Sequence, residues 1–194
     1  MAESGRLIIL SGPSGAGKST VVRRLLERCD LPLELSVSAT TRPARPGEVD
    51  GRDYHFVSKE RFRQMRESGE FLECKEVFGR DWYGTLHKQV DAGLAAGKWI
   101  ILEIDVQGAL SVMEVRQDTL SFFIRPESQE ELANRLRSRG TDDEAAILRR
   151  LEVAAEELQA LQRYNFEIVN RTVEQSVDEI CQKLMQYSHG AKHA

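Results

Sequence analysis

GPSGAGKS, residues 12–19, decides how the rest of this 194-residue chain is read. The octet fits G-x-x-x-x-G-K-[ST], and its flanks are the ones that give the pattern meaning. The apolar run RLIIL (Arg6–Leu10) precedes it and predicts a buried strand; a helical pattern over Ser19–Cys29 follows it. Between strand and helix, Gly12, Gly15 and Gly17 permit a tight wrap that turns successive N–H groups inward, with Pro13, Ser14 and Ala16 completing the wall. Such a wrap at a helix N-terminus is a phosphate cradle, because the amides and the positive end of the helix dipole act together. Lys18 reaches the β- and γ-phosphates of a nucleoside triphosphate, the Ser19 hydroxyl is a ligand for Mg²⁺, and Thr20 closes the ATP-binding run.

Working outward, short β-branched runs alternate with helical patterns. Trp99–Ile104 (WIILEI), Leu120–Ile124 (LSFFI) and Phe166–Val169 read as further strands. Two S/T-x-x-E patterns, Ser128 to Glu131 and Ser176 to Glu179, predict helix starts. The fold class is therefore α/β: a parallel sheet flanked by helices, of the kind that P-loop proteins build. Residues 33–84 depart from this rhythm, with shorter strand-like runs (LELSVSA, DYHFV, FLECKEVF) and one helix, KERFRQMRESG. They predict a small, mostly antiparallel insert. The expected division is a core of 1–32, 85–127 and 165–194, the insert 33–84, and a helical lid with its following long helix over 128–164.

Composition excludes several function classes. Hydrophobic content of 41% with 30% charged residues suits a packed domain, and a net charge of −4 argues against nucleic acid as a partner. An anionic ligand must then be held by local cations. Cys29, Cys74 and Cys181 lie far apart without a CxxC pair, and His55, His87, His189 and His193 lack metal-ligand spacing. The start MAESGR has no apolar signal core, and no apolar run approaches spanning length, so a cytoplasmic monomer without membrane contact is expected.

A second half-motif sits at the end of WIILEID, where Glu103 and Asp105 follow a buried strand and can face Mg²⁺ or its water shell. The cradle alone leaves the reaction open. No N-K-x-D occurs to read guanine as regulatory GTPases do, and no LSGGQ-like segment occurs as in transport ATPases. Phosphotransfer to a small acceptor remains.

The segments SGPSGAGKST, SATTRPARPGEVDGRDYHFVS, FLE, WYGT, ILEIDVQG and RLRSRGTDDEAAILRRL closely resemble guanylate kinase, from about Arg6 to Asn170. The resemblance implies a core, a GMP-binding domain and a mobile lid, and transfer of the γ-phosphoryl group of ATP to GMP with Mg²⁺. It places Ser38, Arg42, Arg45 and Tyr54 at GMP-site positions, with Arg45 near the transferred phosphoryl. It puts Glu73 at the guanine-reading carboxylate, Tyr83 on the phosphate, Thr85 on the base, and Asp105 near guanine and the metal-bound water. Residue chemistry agrees, since Arg42 and Arg45 can clamp a doubly charged monophosphate with bidentate forks. The resemblance also makes Arg139 and Arg150 lid arginines that join Lys18 and Arg45 in catalysis, and sets Asn170 against adenine. Helical phase independently favours Arg150, which flanks the apolar stripe Ile147, Leu151, Ala154, Leu158, Leu161, over Arg149 on the other side. Arg135, Arg137 and Arg149 read equally well as solvated. Three departures stand out: one extra residue in GRDWYGT before Tyr83, Glu103 in place of an aspartate, and Arg171 after Asn170 where an acid is common. Two other functions fit less well, a protein-binding module of the same fold and a kinase for a phosphorylated sugar. The first should have lost Lys18 or the lid arginines, and the second leaves Glu73 and GEVDGRDY without a purpose.

Overall fold

A computed structural model describes residues 5–77, 79–138 and 143–190. Strand β1 (Leu7–Ser11) leads through the glycine loop into helix α1 (Lys18–Arg28). Strands β2 (Leu33–Leu35), β3 (Ala39–Thr40) and β4 (His55–Phe56) follow, then α2 (Lys59–Glu67), β5 (Phe71–Val77) and β6 (Asp81–Leu86). The chain continues with α3 (His87–Ala95), β7 (Trp99–Glu103), α4 (Val106–Val115) and β8 (Leu120–Arg125). Helices α5 (Gln129–Ser138) and α6 (Glu144–Leu158), strand β9 (Phe166–Val169) and helix α7 (Val173–Gly190) complete it.

Five strands form a wholly parallel sheet in the order β2-β7-β1-β8-β9. Both faces are covered, which is why β1 reads as an unbroken apolar run. Ile8 and Leu10 point to one face and pack with Val21 and Leu25 of α1 and Val177, Ile180 and Leu184 of α7. Leu7 and Ile9 point to the other and pack with Val90, Val106, Ala109 and Val112 of α3 and α4. The carboxyl ends of β1 and β7 therefore open on the same edge, where ligands of such sheets bind.

The second sheet runs β4-β3-β6-β5, antiparallel at β3–β6 and β5–β6 and parallel at β3–β4. Helix α2 seals one face: Phe62 stacks on Phe71 with ring centroids 4.4 Å apart, and Met65, Cys74 and Trp82 join them. The opposite face, left uncovered by α2, looks into the cleft. Helices α5 and α6 pack through Leu132, Leu136, Ile147, Leu151 and Ala154, the last three of which are the first three residues of the predicted stripe. Helix α6 ends at Leu158, and Leu158 and Leu161, the latter in a separate 3-10 turn, pack instead with the core that holds Leu7 and Ile9.

Two sequence expectations need correction. LELSVSA is not one strand of the insert: Leu33–Leu35 is the edge strand of the large sheet beside β7, and only Ala39 joins the small one. The chain crosses between the sheets over residues 36–38, where Gln89 of α3 accepts from the Val37 amide at 3.0 Å. Helix α7 does not begin at Ser176. It begins at Val173, with the Thr172 hydroxyl accepting from the Gln175 amide at 3.2 Å. Thr172-x-x-Gln175 is itself a capping pattern, and the earlier of two overlapping patterns lengthens the helix by a turn. Ser128 caps α5 as expected, accepting from the Glu131 amide at 3.1 Å.

Candidate active site

The glycine loop is built as the motif requires. Gly12, Gly15 and Gly17 have φ of 137°, 93° and 89°. A Cβ on Gly12 would fall 1.9 Å from the Ile124 carbonyl oxygen, so no other residue fits there. The Lys18 ammonium folds back over the loop and donates to the carbonyls of Gly12 (2.7 Å) and Pro13 (3.0 Å), which holds it across the cradle mouth. Ser19 at the start of α1 donates to Glu103 at the end of β7. A hydroxyl and a carboxylate thus meet at the edge of the cradle, the hard-oxygen pair that a Mg²⁺–nucleotide needs from protein.

Across the cleft, the acidic middle of the arginine loop shapes its backbone. Glu48 takes both Nη atoms of Arg42 at 2.9 Å and accepts from the Arg45 amide at 2.7 Å. Asp53 accepts from the Val49 amide (2.8 Å) and Asp50 from the Phe56 amide (2.8 Å). The hydrogen bond with Glu48 raises the Arg42 pKa still further, and Glu48 is correspondingly lowered by Arg42. Arg42 Nε donates to the Tyr83 hydroxyl at 3.2 Å, and its guanidinium lies 5.3 Å from the Tyr54 ring. Tyr54 and Tyr83 meet edge to face at 5.8 Å, and burial pushes the Tyr54 phenol up to about 12, with the Glu103 charge adding to it. Ser38 lies at the head of this loop, its carbonyl accepting from the His55 amide at 2.9 Å. Arg45 is exposed at the loop's outer edge.

A third group closes the far end of the cleft. On β5 the pairing passes from Phe71 opposite Leu86 to Glu73 opposite Thr85, one extra residue on β5. This bulge turns Glu73 into the cleft. Thr85 is fully buried and donates to Glu73 at 2.7 Å. Asp105 caps α4, accepting from the Gly108 amide at 2.8 Å. Gly108 separates the two carboxylates: a Cβ there would lie 2.9 Å from Glu73 Oε2 and 3.5 Å from Asp105 Oδ1. Burial pushes Glu73 up to about 7, the Thr85 bond resists, and the Asp105 charge adds to the push. An acceptor pair walled by a bare helix backbone is shaped for a flat ligand edge carrying adjacent N–H donors.

A family model described as guanylate kinase matches residues 4–187. The chain belongs to the guanylate kinase family. A guanylate kinase of Rhodopirellula baltica is 56% identical over 186 residues, covering 95% of this chain and 89% of the relative. One of Nostoc is 49% identical over 177 residues, covering 91% and 88%. The crystal structure of guanylate kinase from Anaplasma phagocytophilum superposes with a TM-score of 0.78 at 37% identity, covering 95% of this chain and 87% of that one.

The three departures from the guanylate kinase pattern have structural settings. GRDWYGT opens in the β5–β6 turn, where Gly79 has φ 62°, and Tyr83 lies opposite Lys75 and against Arg42. Glu103 meets Ser19, and Arg171 pairs with Glu127 at 2.9 Å. Asn170 is only 3% exposed. Its amide donates to the Ala16 carbonyl (2.8 Å) and its oxygen accepts from Ser176 (3.1 Å), so the side chain supports the underside of the loop. The resemblance sets this residue against adenine, and in this structure its side-chain amide is engaged by the loop and by α7. On α6, Arg150 is half-buried and Arg149 exposed. Arg139 lies outside the described residues.

Sequence reasoning passed over three residues. Arg135, read as equally well solvated, donates to the carbonyls of Asn170 (2.8 Å) and Ala16 (3.4 Å). Glu48 orients Arg42, and its signal was the acidic middle of the arginine loop. Gly108 stands inside the quoted segment ILEIDVQG, but only the fold shows what its missing side chain makes room for.

Proposed function

We propose that this chain transfers the γ-phosphoryl group of ATP to GMP, and to dGMP, giving ADP and GDP. The observation that carries the reading is the pocket of Glu73, Thr85 and Asp105 around Gly108, one face of a small sheet away from Arg42 and Tyr83 and facing an intact glycine loop. Guanine offers N1–H and its 2-amino group side by side, and an ionised Glu73 accepts both. Adenine offers a bare acceptor at N1, which a carboxylate repels. A protein-binding module has no use for the Lys18 and Ser19 arrangement, and a phosphorylated sugar has no flat edge of paired N–H donors to match Glu73.

In this reading GMP lies with its base against Glu73, Thr85 and Asp105 and its phosphate at Arg42, Arg45, Tyr54, Tyr83 and Ser38. Residues Gly12 to Thr20 wrap the phosphates of ATP, and Lys18 neutralises the transferred group. Arg45, Arg139 and Arg150 bring further positive charge as the lid closes. Ser19 and Glu103 would hold Mg²⁺, with Asp105 acting through water; the ion supplies charge neutralisation across the phosphates. The acceptor oxygen of GMP is already anionic, so positioning suffices and no side chain need take its proton. Closure also excludes water from the transferred group.

Titrating GMP, AMP and ribose 5-phosphate with ATP in a coupled ADP assay tests this. GMP should exceed AMP in kcat/KM by roughly 10⁴-fold, the discrimination available to a site that hydrogen-bonds its substrate. Comparable turnover of AMP or the sugar phosphate would overturn the assignment.

A further inference from the structure

Lys75 stands on the acceptor face of the small sheet. It follows Glu73 by two residues and pairs with Tyr83, while Glu73 pairs with Thr85. Residues two apart on a strand, and residues directly opposite across an antiparallel pair, share a face. Its ammonium therefore enters the cleft between the base-reading end and the phosphate-clamping end. Among the described residues that ammonium makes no hydrogen bond or ion pair.

On the core side, Glu157 occupies the last turn of α6, seven residues after Arg150 and so on nearly the same helical face. Its Oε2 is buried without a hydrogen-bond partner among the described residues. The other two such side-chain oxygens are Ser11 Oγ, beside the first glycine of the loop, and Tyr164 Oη, in the field of Glu157 and Asp105. Burial pushes Glu157 up from its ordinary value, and both Lys18 and Lys75 oppose that push. Lys75 also opposes the upward push on Glu73. One ammonium on the small sheet is thus within electrostatic reach of a carboxylate at each side of the cleft. Glu157 is the one with an unsatisfied oxygen, and a four-carbon stem lets the ammonium travel to it.

We propose that Lys75 and Glu157 bridge the acceptor cleft, holding the small sheet against the lid-bearing helix at the level of the bound nucleotide's ribose. The bridge rests on GMP lying between Glu73 and Arg42, as proposed above. It gives Lys75 and Glu157 a positioning role: they fix the two bodies that carry the reacting phosphates.

The test is a double-mutant cycle in steady-state kinetics, using Lys75→Met, Glu157→Gln, the double variant, and the exchanged pair Lys75→Glu with Glu157→Lys. Each single change should raise the KM for GMP about tenfold and leave the KM for ATP within about twofold, a coupling typical of contacting residues. The double variant should be no worse than the poorer single, and the exchanged pair should regain part of the loss. Losses that multiply in the double variant would overturn the bridge. So would a Lys75→Met protein within twofold of wild type, the result expected if a water among Ser11, Tyr164 and Glu157 satisfies the carboxylate instead. Lys75 lies outside the packed cores, so this variant reports even where Glu157→Gln folds poorly. Wild type that fails to phosphorylate GMP in the same assay would instead overturn the acceptor assignment.

Discussion

At the scale of one residue, Glu73 shows how function and stability oppose each other. Its carboxyl holds a proton up to about 7, chiefly through burial, while an unfolded glutamate releases it near 4.5. The folded protein therefore loses stability as pH rises between those values. Guanine needs the ionised form, so GMP binding and proton release are linked. The KM for GMP should fall as pH rises from about 6 to about 8, with the KM for ATP nearly flat. Glu73→Gln should abolish that pH dependence, weaken GMP, and narrow the GMP-over-AMP ratio. It should also melt higher at pH 8, by on the order of 1–3 kcal/mol, or several degrees for a chain of this size, and match wild type near pH 4. A variant that melts no higher at pH 8 would show that burial does not set the proton affinity of Glu73. The residue was legible from FLE in a family pattern; the bulge that aims it was not, since a register shift leaves no mark on composition.

Elements were legible where one periodicity dominated. The β1–loop–α1 unit and the stripe on α6 follow from apolar spacing alone, because each has a single buried face or two fully buried ones. Where two local solutions competed, the sequence was ambiguous. LELSVSA has strand character throughout, and only the tertiary pairing of Leu33–Leu35 with β7 divides it between two sheets. Two capping patterns compete for α7, and the buried bond from Ser176 to Asn170 puts the later one inside the helix. Helix α6 gives the sharper consequence. With Ile147 and Ala154 buried, Arg150 is held beside the packed face and Arg149 faces solvent. Arg150→Ala should lower kcat by about 100-fold or more, within the range for a cation that stabilises transferring phosphoryl charge, and Arg149→Ala by no more than about threefold. Equal losses in the two variants would reverse the assignment of which α6 face closes over the phosphates.

On the scale of the whole molecule, the acceptor site belongs to neither body alone. Glu73 and Thr85 come from the small sheet, Asp105 and Gly108 from the end of β7 and the start of α4, and the place where they meet is the missing side chain of Gly108. That meeting could not be read from spacing, because residue 73 lies on a strand of the small sheet and residue 108 on helix α4, and no local pattern joins them. Gly108→Ala tests it. Alanine is the better helix former, by up to about 1 kcal/mol, and position 108 lies in the first turn of α4. The added Cβ, 2.9 Å from Glu73 Oε2, displaces a side-chain tip and leaves packed backbone in place. Thermal stability should therefore be unchanged or slightly raised. The displaced carboxylate must draw back from the base or push the small sheet away from the core, and either motion spoils the acceptor site. The KM for GMP should rise by about tenfold or more, in line with a buried hydrogen-bonding group left mispaired, while the KM for ATP stays within about twofold. An unchanged KM for GMP would mean that the sheet and α4 do not approach this closely around the bound base, and the wall of the guanine pocket would then have to be sought elsewhere.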